Sequence, residues 1–203
     1  MVGAGARPHR APAPWSAPVS RPEIVLVGGG VRSGKSAFAL ALARAAGPRR
    51  ALVATAQASD AEMVERIAAH QRERAGAFLT VEAPHDVPGA LARLDADVVV
   101  VDCLTLWLSN LLLRGDDAAG IAAQVEALAD VLLARRFVAV LVTNEVGMGI
   151  VPEHPLGRTF RDVAGRAHQR LARAADRIYL AALGCVIRLR PDPISLVLPE
   201  STP

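Results

Sequence analysis

The chain has 203 residues, of which 52% are hydrophobic and 21% are charged. This composition predicts a globular protein with a sizeable core and excludes an intrinsically disordered one. The net charge of +3 comes entirely from Arg7, Arg10 and Arg21, because residues 1–22 contain no acidic residue. The remaining chain is formally neutral, which argues against a large nucleic-acid-binding surface.

Apolar, β-branched segments alternate with segments of helical composition along the chain. We predict strands at 23–29, 50–57, 78–83, 97–103 and 137–147, and helices at 36–47, 59–74, 86–94, 105–113, 118–135 and 156–176. Two further segments, 177–183 and 185–190, flank Gly184 and predict a closing hairpin with an antiparallel last strand. This alternation predicts one doubly wound α/β domain with a mostly parallel sheet. We expect it to span 23–190, between a disordered extension (1–22) and an irregular tail (191–203).

The turn after the first predicted strand contains a phosphate-binding motif. Residues 29–36 read GGVRSGKS and fit the pattern G-x-x-x-x-G-K-[ST] between a strand and a helix. Backbone N–H groups of such a loop surround phosphate oxygens, the lysine reaches the β- and γ-phosphates, and the serine hydroxyl binds Mg²⁺. Lys35, the only lysine of the chain, and Ser36 have these positions. We therefore expect a nucleoside triphosphate to bind here with Mg²⁺.

Polar residues also follow three other predicted strands. Thr55 follows the second strand, Asp102 ends the fourth, and Asn144 and Glu145 follow the fifth. Carboxyl ends of parallel strands meet at one edge of a sheet, so these residues should line one crevice with the phosphate loop. Asp102 has the position of a magnesium-binding acid. Its alternative role is to cap the helix that begins near residue 104.

The two cysteines, Cys103 and Cys185, are far apart and lack metal-ligand spacing. They predict two buried, reduced thiols in a cytoplasmic protein. The N-terminus has no apolar run of the length expected of a signal peptide, and the longest later apolar stretch contains Asp102 and is too short to span a bilayer, so we expect no membrane partner.

The predicted helix 59–74 has a basic face. Arg66, His70 and Arg74 are spaced four residues apart and therefore share one side of the helix. On spacing alone this is an exposed basic face. Alternatively, the two arginines keep His70 neutral, which leaves its imidazole free to attack phosphorus while the guanidinium groups stabilise the developing charge.

Four segments together resemble the bifunctional adenosylcobinamide kinase / adenosylcobinamide-phosphate guanylyltransferase family of cobalamin biosynthesis. They read LVGGGVRSGKS, VATAQASDAEMVERIAAHQRER, VVVDCLTLWLSNLL and LVTNEVGMGIVPEHPLGRTFRDVAGRAHQRLA, in family order between residues 24 and 190. The resemblance implies that ATP or GTP phosphorylates adenosylcobinamide. It also implies that GTP then gives GMP to the new phosphate, forming adenosylcobinamide-GDP and pyrophosphate. The implied architecture is a RecA-like P-loop NTPase sheet in a homotrimer.

The resemblance also assigns roles to individual residues. It implies that His70 is the nucleophile that carries GMP as a phosphoramidate, and that Lys35 is catalytic. It places Mg²⁺ at Ser36 and Asp102. The implied nucleotide contacts are Gly29, Gly30, Val31, Arg32, Ser33, Gly34, Lys35, Ser36, Ala54, Thr55, Ala56, Gln71, Arg72, Glu73, Arg74, Glu82 and Asp102.

Two other functions remain open from the residues. One is a P-loop kinase that phosphorylates a small alcohol and never forms a guanylyl-enzyme. The other is a RecA-like NTPase that acts on nucleic acid, which the neutral core and the absence of basic and aromatic clusters disfavour.

Overall fold

A computed structural model describes residues 22–57, 65 and 76–191. In chain order its elements are β1 (Ile24–Gly29), α1 (Lys35–Ala46), β2 (Arg50–Ala54), β3 (Leu79–Glu82), α2 (Val87–Arg93), β4 (Val98–Asp102), α3 (Leu104–Arg114), α4 (Ala118–Leu133), β5 (Val138–Val142), α5 (Pro155–Ala174), β6 (Arg177–Ala182) and β7 (Cys185–Arg190). Of the predicted helix 59–74, only Glu65 is described, in helical conformation. The rest of that helix and both predicted tails, apart from residues 22 and 191, lie outside the described residues.

One seven-stranded sheet organises the described part of the chain, with strand order β3-β2-β4-β5-β1-β6-β7. Every neighbouring pair is parallel except β6 and β7, which are antiparallel. The predicted mostly parallel sheet with an antiparallel last strand is therefore confirmed. The strand β5 separates the strand that precedes the phosphate loop from the strand that ends in Asp102.

Both faces of the sheet are buried, as is usual for parallel strands between helices. Successive valines of β4 alternate between two apolar clusters, with Val99 and Val101 on one face and Val98 and Val100 on the other. Phe38 of α1 packs in the second cluster, whereas buried residues of α2, α3, α4 and α5 pack in the first. Among the described helices, α1 thus lies on one face of the sheet and α2, α3, α4 and α5 lie on the other.

Short-range signals set several helix ends. Gly34 precedes α1 in the left-handed conformation, with φ of 94°. The side chains of Asp86 and Asp117 accept backbone hydrogen bonds from Gly89 and Gly120 and so cap α2 and α4. No helix in the described ranges is long and apolar enough to cross a membrane.

The prediction that both cysteine thiols are buried is correct for one cysteine and wrong for the other. Both cysteines are free, and Cys103 is buried, but Cys185 is exposed. Cys185 begins β7, which is the last strand of the sheet and therefore has a neighbouring strand on only one side.

Candidate nucleotide-binding site

The strand register brings the predicted polar strand ends to one edge of the sheet. Ala54 is paired with Glu82 on one side and with Asp102 on the other. Asp102 is also paired with Val142, and Val142 with Val27. These strands therefore end in register, and the residues that follow them lie at the same edge of the sheet as the phosphate loop. The prediction that these strand ends meet at one edge of the sheet is confirmed.

The phosphate loop passes close to its neighbours in the sheet. A Cβ atom on Gly29 would lie 2.4 Å from the Ala181 carbonyl oxygen and 2.7 Å from Ser33 Oγ, so only glycine fits there. The loop ends at Gly34, where α1 begins, so the first N–H groups of that helix face the loop. Lys35 is only 7% exposed, and its Nζ donates a hydrogen bond of 2.9 Å to the Gly30 carbonyl oxygen. The lysine ammonium is thus held against the loop.

The residues after β5 are tied directly to the phosphate-loop strand. The N–H of Thr143 donates to the Val27 carbonyl oxygen at 3.0 Å, and the N–H of Glu145 donates to the Gly29 carbonyl oxygen at 3.0 Å. Ladder-like hydrogen bonds therefore continue three residues beyond the end of β5. They place Glu145 beside the first glycine of the loop.

A buried polar network forms the floor of the crevice between β2, β4 and β5. Thr55 Oγ1 donates to the carbonyl oxygen of Cys103 and accepts from its N–H, both at 2.8 Å. Cys103 Sγ lies 3.2 Å from Thr105 Oγ1, which also accepts from Asn144 Nδ2 at 3.0 Å. These side chains are used to hold the strand ends together, and Thr55 is fully buried. Its side chain supports the site rather than lining it.

Asp102 remains available to the crevice. The N-cap position of α3 is Cys103, and no side chain caps this helix. The alternative that Asp102 caps α3 is therefore wrong. Burial raises the pKa of the Cys103 thiol above its usual value, and the adjacent negative charge of Asp102 raises it further.

A second cluster, formed by Thr143, Glu145 and His168, lies between the end of β5 and α5. His168 Nε2 is 2.6 Å from Thr143 Oγ1, and His168 Nδ1 is 4.0 Å from Glu145 Oε2. The His168 side chain is 14% exposed and that of Glu145 is 32% exposed. Burial lowers the pKa of His168 below its usual value, although the Glu145 carboxylate opposes this. The imidazole is therefore neutral near pH 7.

The sequence profile of the cobinamide kinase / cobinamide phosphate guanyltransferase family matches residues 25–189. The chain belongs to this family. The bifunctional adenosylcobalamin biosynthesis protein CobP of Pseudomonas aeruginosa is 40% identical over 172 residues, which are 83% of this chain and 98% of that protein. The bifunctional adenosylcobalamin biosynthesis protein CobU of Salmonella typhimurium is 40% identical over 181 residues, 82% of this chain and 99% of that protein.

The fold has a relative among solved structures. A protein of Pyrococcus horikoshii OT3 has a TM-score of 0.52, with 86% of this chain and 88% of that chain covered. Its sequence identity of 11% makes this a likeness of fold alone. The strand order and the phosphate loop between β1 and α1 confirm the predicted doubly wound P-loop fold with a mostly parallel sheet.

The family residues predicted from the sequence fall into two groups. Those described lie at the carboxyl edge of the sheet, namely Gly29 to Ser36, Ala54 to Ala56, Glu82 and Asp102. The loop residues Gly30, Val31 and Arg32 are exposed, as is Glu82 at the end of the edge strand β3. His70, Gln71, Arg72, Glu73 and Arg74 lie outside the described residues, so their roles stay predictions.

Sequence reasoning assigned no chemistry to His168 and did not single out the arginines of α5. Arg161 donates to the carbonyl oxygens of Gly147 and Ile150, at 2.9 and 3.2 Å, and Arg158 donates to that of Pro152 at 3.0 Å. These bonds hold the loop that follows Glu145. Arg158 and Arg161 are visible in the sequence near the start of α5, three residues apart, but their carbonyl partners depend on how the preceding loop folds back.

One cavity of about 300 Å³ lies apart from the crevice. It is between α4 and α5 and is lined by residues of those two helices, including Ile121, Val125, Val163 and Arg170. None of its lining residues belongs to a strand end or to the phosphate loop. This cavity is therefore separate from the described residues that are predicted to bind the nucleotide.

Proposed function

We propose that this protein phosphorylates adenosylcobinamide with ATP or GTP and then transfers GMP from GTP to adenosylcobinamide phosphate. Membership of the cobinamide kinase / cobinamide phosphate guanyltransferase family supports both activities. So do the names of two relatives that are 40% identical over nearly their whole length, since both are called bifunctional. The observation that carries the proposal is the formed phosphate loop with Lys35 held against it, at an edge where Asp102 and Glu145 converge.

The loop explains how one site serves both reactions. Its backbone N–H groups and the positive end of α1 bind the phosphates. The Lys35 ammonium neutralises charge on the β- and γ-phosphates, where it increases during transfer. Because the whole triphosphate is fixed along the loop, an attacking group can reach the γ-phosphorus from one position and the α-phosphorus from another.

Ser36 and Asp102 supply the ligands that Mg²⁺ prefers. A hydroxyl and a carboxylate oxygen are hard donors, and Mg²⁺ is usually bound by one or two protein oxygens together with phosphate oxygens and water. The ion would offset charge on the phosphates.

The guanylyl transfer proceeds in two displacements through His70. In the first, an imidazole nitrogen bonds to the α-phosphorus of GTP, and pyrophosphate leaves as the bond to the β-phosphate oxygen breaks. In the second, an oxygen of adenosylcobinamide phosphate bonds to the same phosphorus and the histidine leaves. The family resemblance and the two flanking arginines support His70 as this nucleophile, and residue 70 lies outside the described residues.

Labelling with GTP tests this proposal. Incubation with α-labelled GTP and Mg²⁺ should produce a protein label that is stable in base and labile in acid, as a phosphoramidate is. His70→Ala should give no label, while γ-labelled GTP should give none with either protein. A label that persists in His70→Ala contradicts the assignment of the nucleophile. Phosphorylation of adenosylcobinamide without any α-label would support a kinase that has no guanylyltransferase activity.

A homotrimer is the oligomeric state that the family resemblance implies for this chain. Light scattering of the purified protein should then give about three times the chain mass of 21.3 kDa. A mass near that of one chain would contradict the trimer and leave the catalytic proposal intact.

A further inference from the structure

The geometry points to Glu145 as the base that accepts the substrate hydroxyl proton in the kinase step, and to His168 as the residue that positions its carboxylate. This inference rests on the proposed kinase activity and adds the groups that would move its proton. Neither residue belongs to the phosphate-binding motif.

Of the two carboxylates at this edge of the sheet, Glu145 is better placed than Asp102 to act as the base. Its N–H donates to the carbonyl oxygen of Gly29, and its strand β5 is the direct neighbour of β1. Asp102 ends β4, which is one strand further from the phosphate loop. From a strand that is not next to the phosphate loop, a metal ligand can still act through Mg²⁺ and the phosphates. A base must instead contact the substrate hydroxyl directly or through one water. The two acids therefore have separate roles.

The two oxygens of Glu145 have different partners. Oε1 accepts a hydrogen bond of 2.7 Å from the N–H of Gly147. A Cβ atom at residue 147 would lie 2.9 Å from Oε1, so this contact depends on a glycine. Oε2 has no such backbone donor among the contacts of the described residues, and it faces Nδ1 of His168 at 4.0 Å. One oxygen is therefore anchored, and the other is directed toward the imidazole and the crevice.

The contact with Thr143 is compatible with the tautomer of His168 that has its proton on Nδ1. Thr143 Oγ1 and His168 Nε2 are 2.6 Å apart, and the hydroxyl can donate to Nε2. The neutral ring then has its proton on Nδ1, pointing toward Oε2 of Glu145. The opposite tautomer would direct a nitrogen lone pair at a carboxylate, which is unfavourable in a site that is largely shielded from water. At 4.0 Å the Nδ1–H is beyond hydrogen-bond distance of Oε2, so His168 attracts this oxygen electrostatically and leaves its lone pairs for the substrate.

The proposed step balances in atoms and charge. The substrate hydroxyl oxygen bonds to the γ-phosphorus, and the bond from that phosphorus to the β-phosphate oxygen breaks. The nucleoside diphosphate leaves with the electron pair of that bond. The hydroxyl proton passes to Oε2 of Glu145, which becomes neutral and returns the proton to water after the product leaves.

Glu145→Gln separates the kinase step from the transferase step. With adenosylcobinamide as substrate, we expect kcat to fall by a factor of about 100 to 10,000, the range typical for loss of a general base. With preformed adenosylcobinamide phosphate, GMP transfer should stay within about twofold of wild type, because the phosphate nucleophile is already ionised. An unchanged kinase rate, or equal loss of both reactions, would overturn the assignment of Glu145. Absence of both activities in the wild-type protein would instead contradict the proposed function.

Two variants of His168 separate its two contacts. His168→Asn keeps an amide group near the position of Nδ1, which faces Glu145, and loses the contact with Thr143. His168→Gln keeps an amide group near the position of Nε2, which contacts Thr143, and loses the group that faces Glu145. We expect His168→Asn to keep most of the kinase kcat and His168→Gln to lower it about tenfold, with the nucleotide KM and GMP transfer unchanged. If both variants behave alike, whether active or impaired, the positioning role of His168 is wrong. Melting temperatures of both variants show whether any loss reflects unfolding.

Discussion

At the scale of single residues, the two cysteines show how placement decides reactivity. Cys103 is 5% exposed in the crevice floor, and burial together with Asp102 raises the pKa of its thiol. Only the thiolate is a good nucleophile, so a buried thiol with a raised pKa is inert. Cys185 is exposed at the start of β7.

We therefore predict that iodoacetamide modifies the folded protein at Cys185 alone. Peptide mass spectrometry after treatment at pH 8 should find one alkyl group on Cys185 and none on Cys103. Cys185→Ser should remove the modification, and Cys103→Ser should leave it unchanged. Alkylation of Cys103 in the native protein would contradict the buried network around it, although denaturation should make both thiols reactive.

Candidate site residues were predictable from the sequence where a local motif specifies them. They were not predictable where only tertiary packing brings them together. Lys35, Ser36 and Asp102 follow from a motif or from the end of an apolar strand, and the structure places all three at the same edge. His168 is twenty-five positions after Thr143, and only the packing of α5 against β5 brings them together. A single histidine in an amphipathic helix gives no signal of that contact.

At the scale of elements, capping side chains define where helices begin. Asp117 precedes α4, and its Oδ1 accepts a hydrogen bond of 2.7 Å from the N–H of Gly120. This bond satisfies one of the backbone donors that a helix start leaves without a partner. Because α4 contributes Ile121, Val125 and Leu128 to the core, fraying of its start exposes apolar surface.

Asp117→Ala should therefore destabilise the protein by about 1 kcal/mol, which corresponds to a fall in Tm of roughly 2–4 °C for a chain of this size. Thermal unfolding followed by circular dichroism measures this change. Asp117→Asn keeps a capping oxygen and should stay within a few tenths of a kcal/mol of wild type. A loss as large as that of alanine would mean that the negative charge, and not the hydrogen bond, stabilises the helix start.

The elements themselves were mostly predictable, but some of their ends were not. The β-branched run of β4 and the hairpin at Gly184 predicted strands that the structure contains. The second and fifth strands end at Ala54 and Val142, three and five residues earlier than predicted. Beyond these points Thr55 and Asn144 bond to the crevice floor, and such side-chain contacts are invisible to a pattern of apolar residues.

At the scale of the whole molecule, the phosphate loop couples ligand binding to global stability. The loop joins β1 to α1, and both elements contribute fully buried residues to the core, such as Val27 and Ala39. Unfolding of the domain must therefore destroy the binding site. A ligand that binds only the folded state stabilises it by an amount set by its concentration relative to Kd.

GTP with Mg²⁺ at about 100 times its Kd should stabilise the protein by roughly 2.7 kcal/mol and raise Tm by roughly 5–10 °C. Lys35→Ala should lose most of this shift at the same nucleotide concentration, because the ammonium that offsets phosphate charge is gone. Asp117→Ala is the matched control: it starts from a lower Tm but should keep the full shift, since it changes stability without touching the loop. Differential scanning fluorimetry of the three proteins with and without GTP makes the comparison. A full shift in Lys35→Ala would mean that the nucleotide is bound by groups other than this loop, and the assignment of the site would then be wrong.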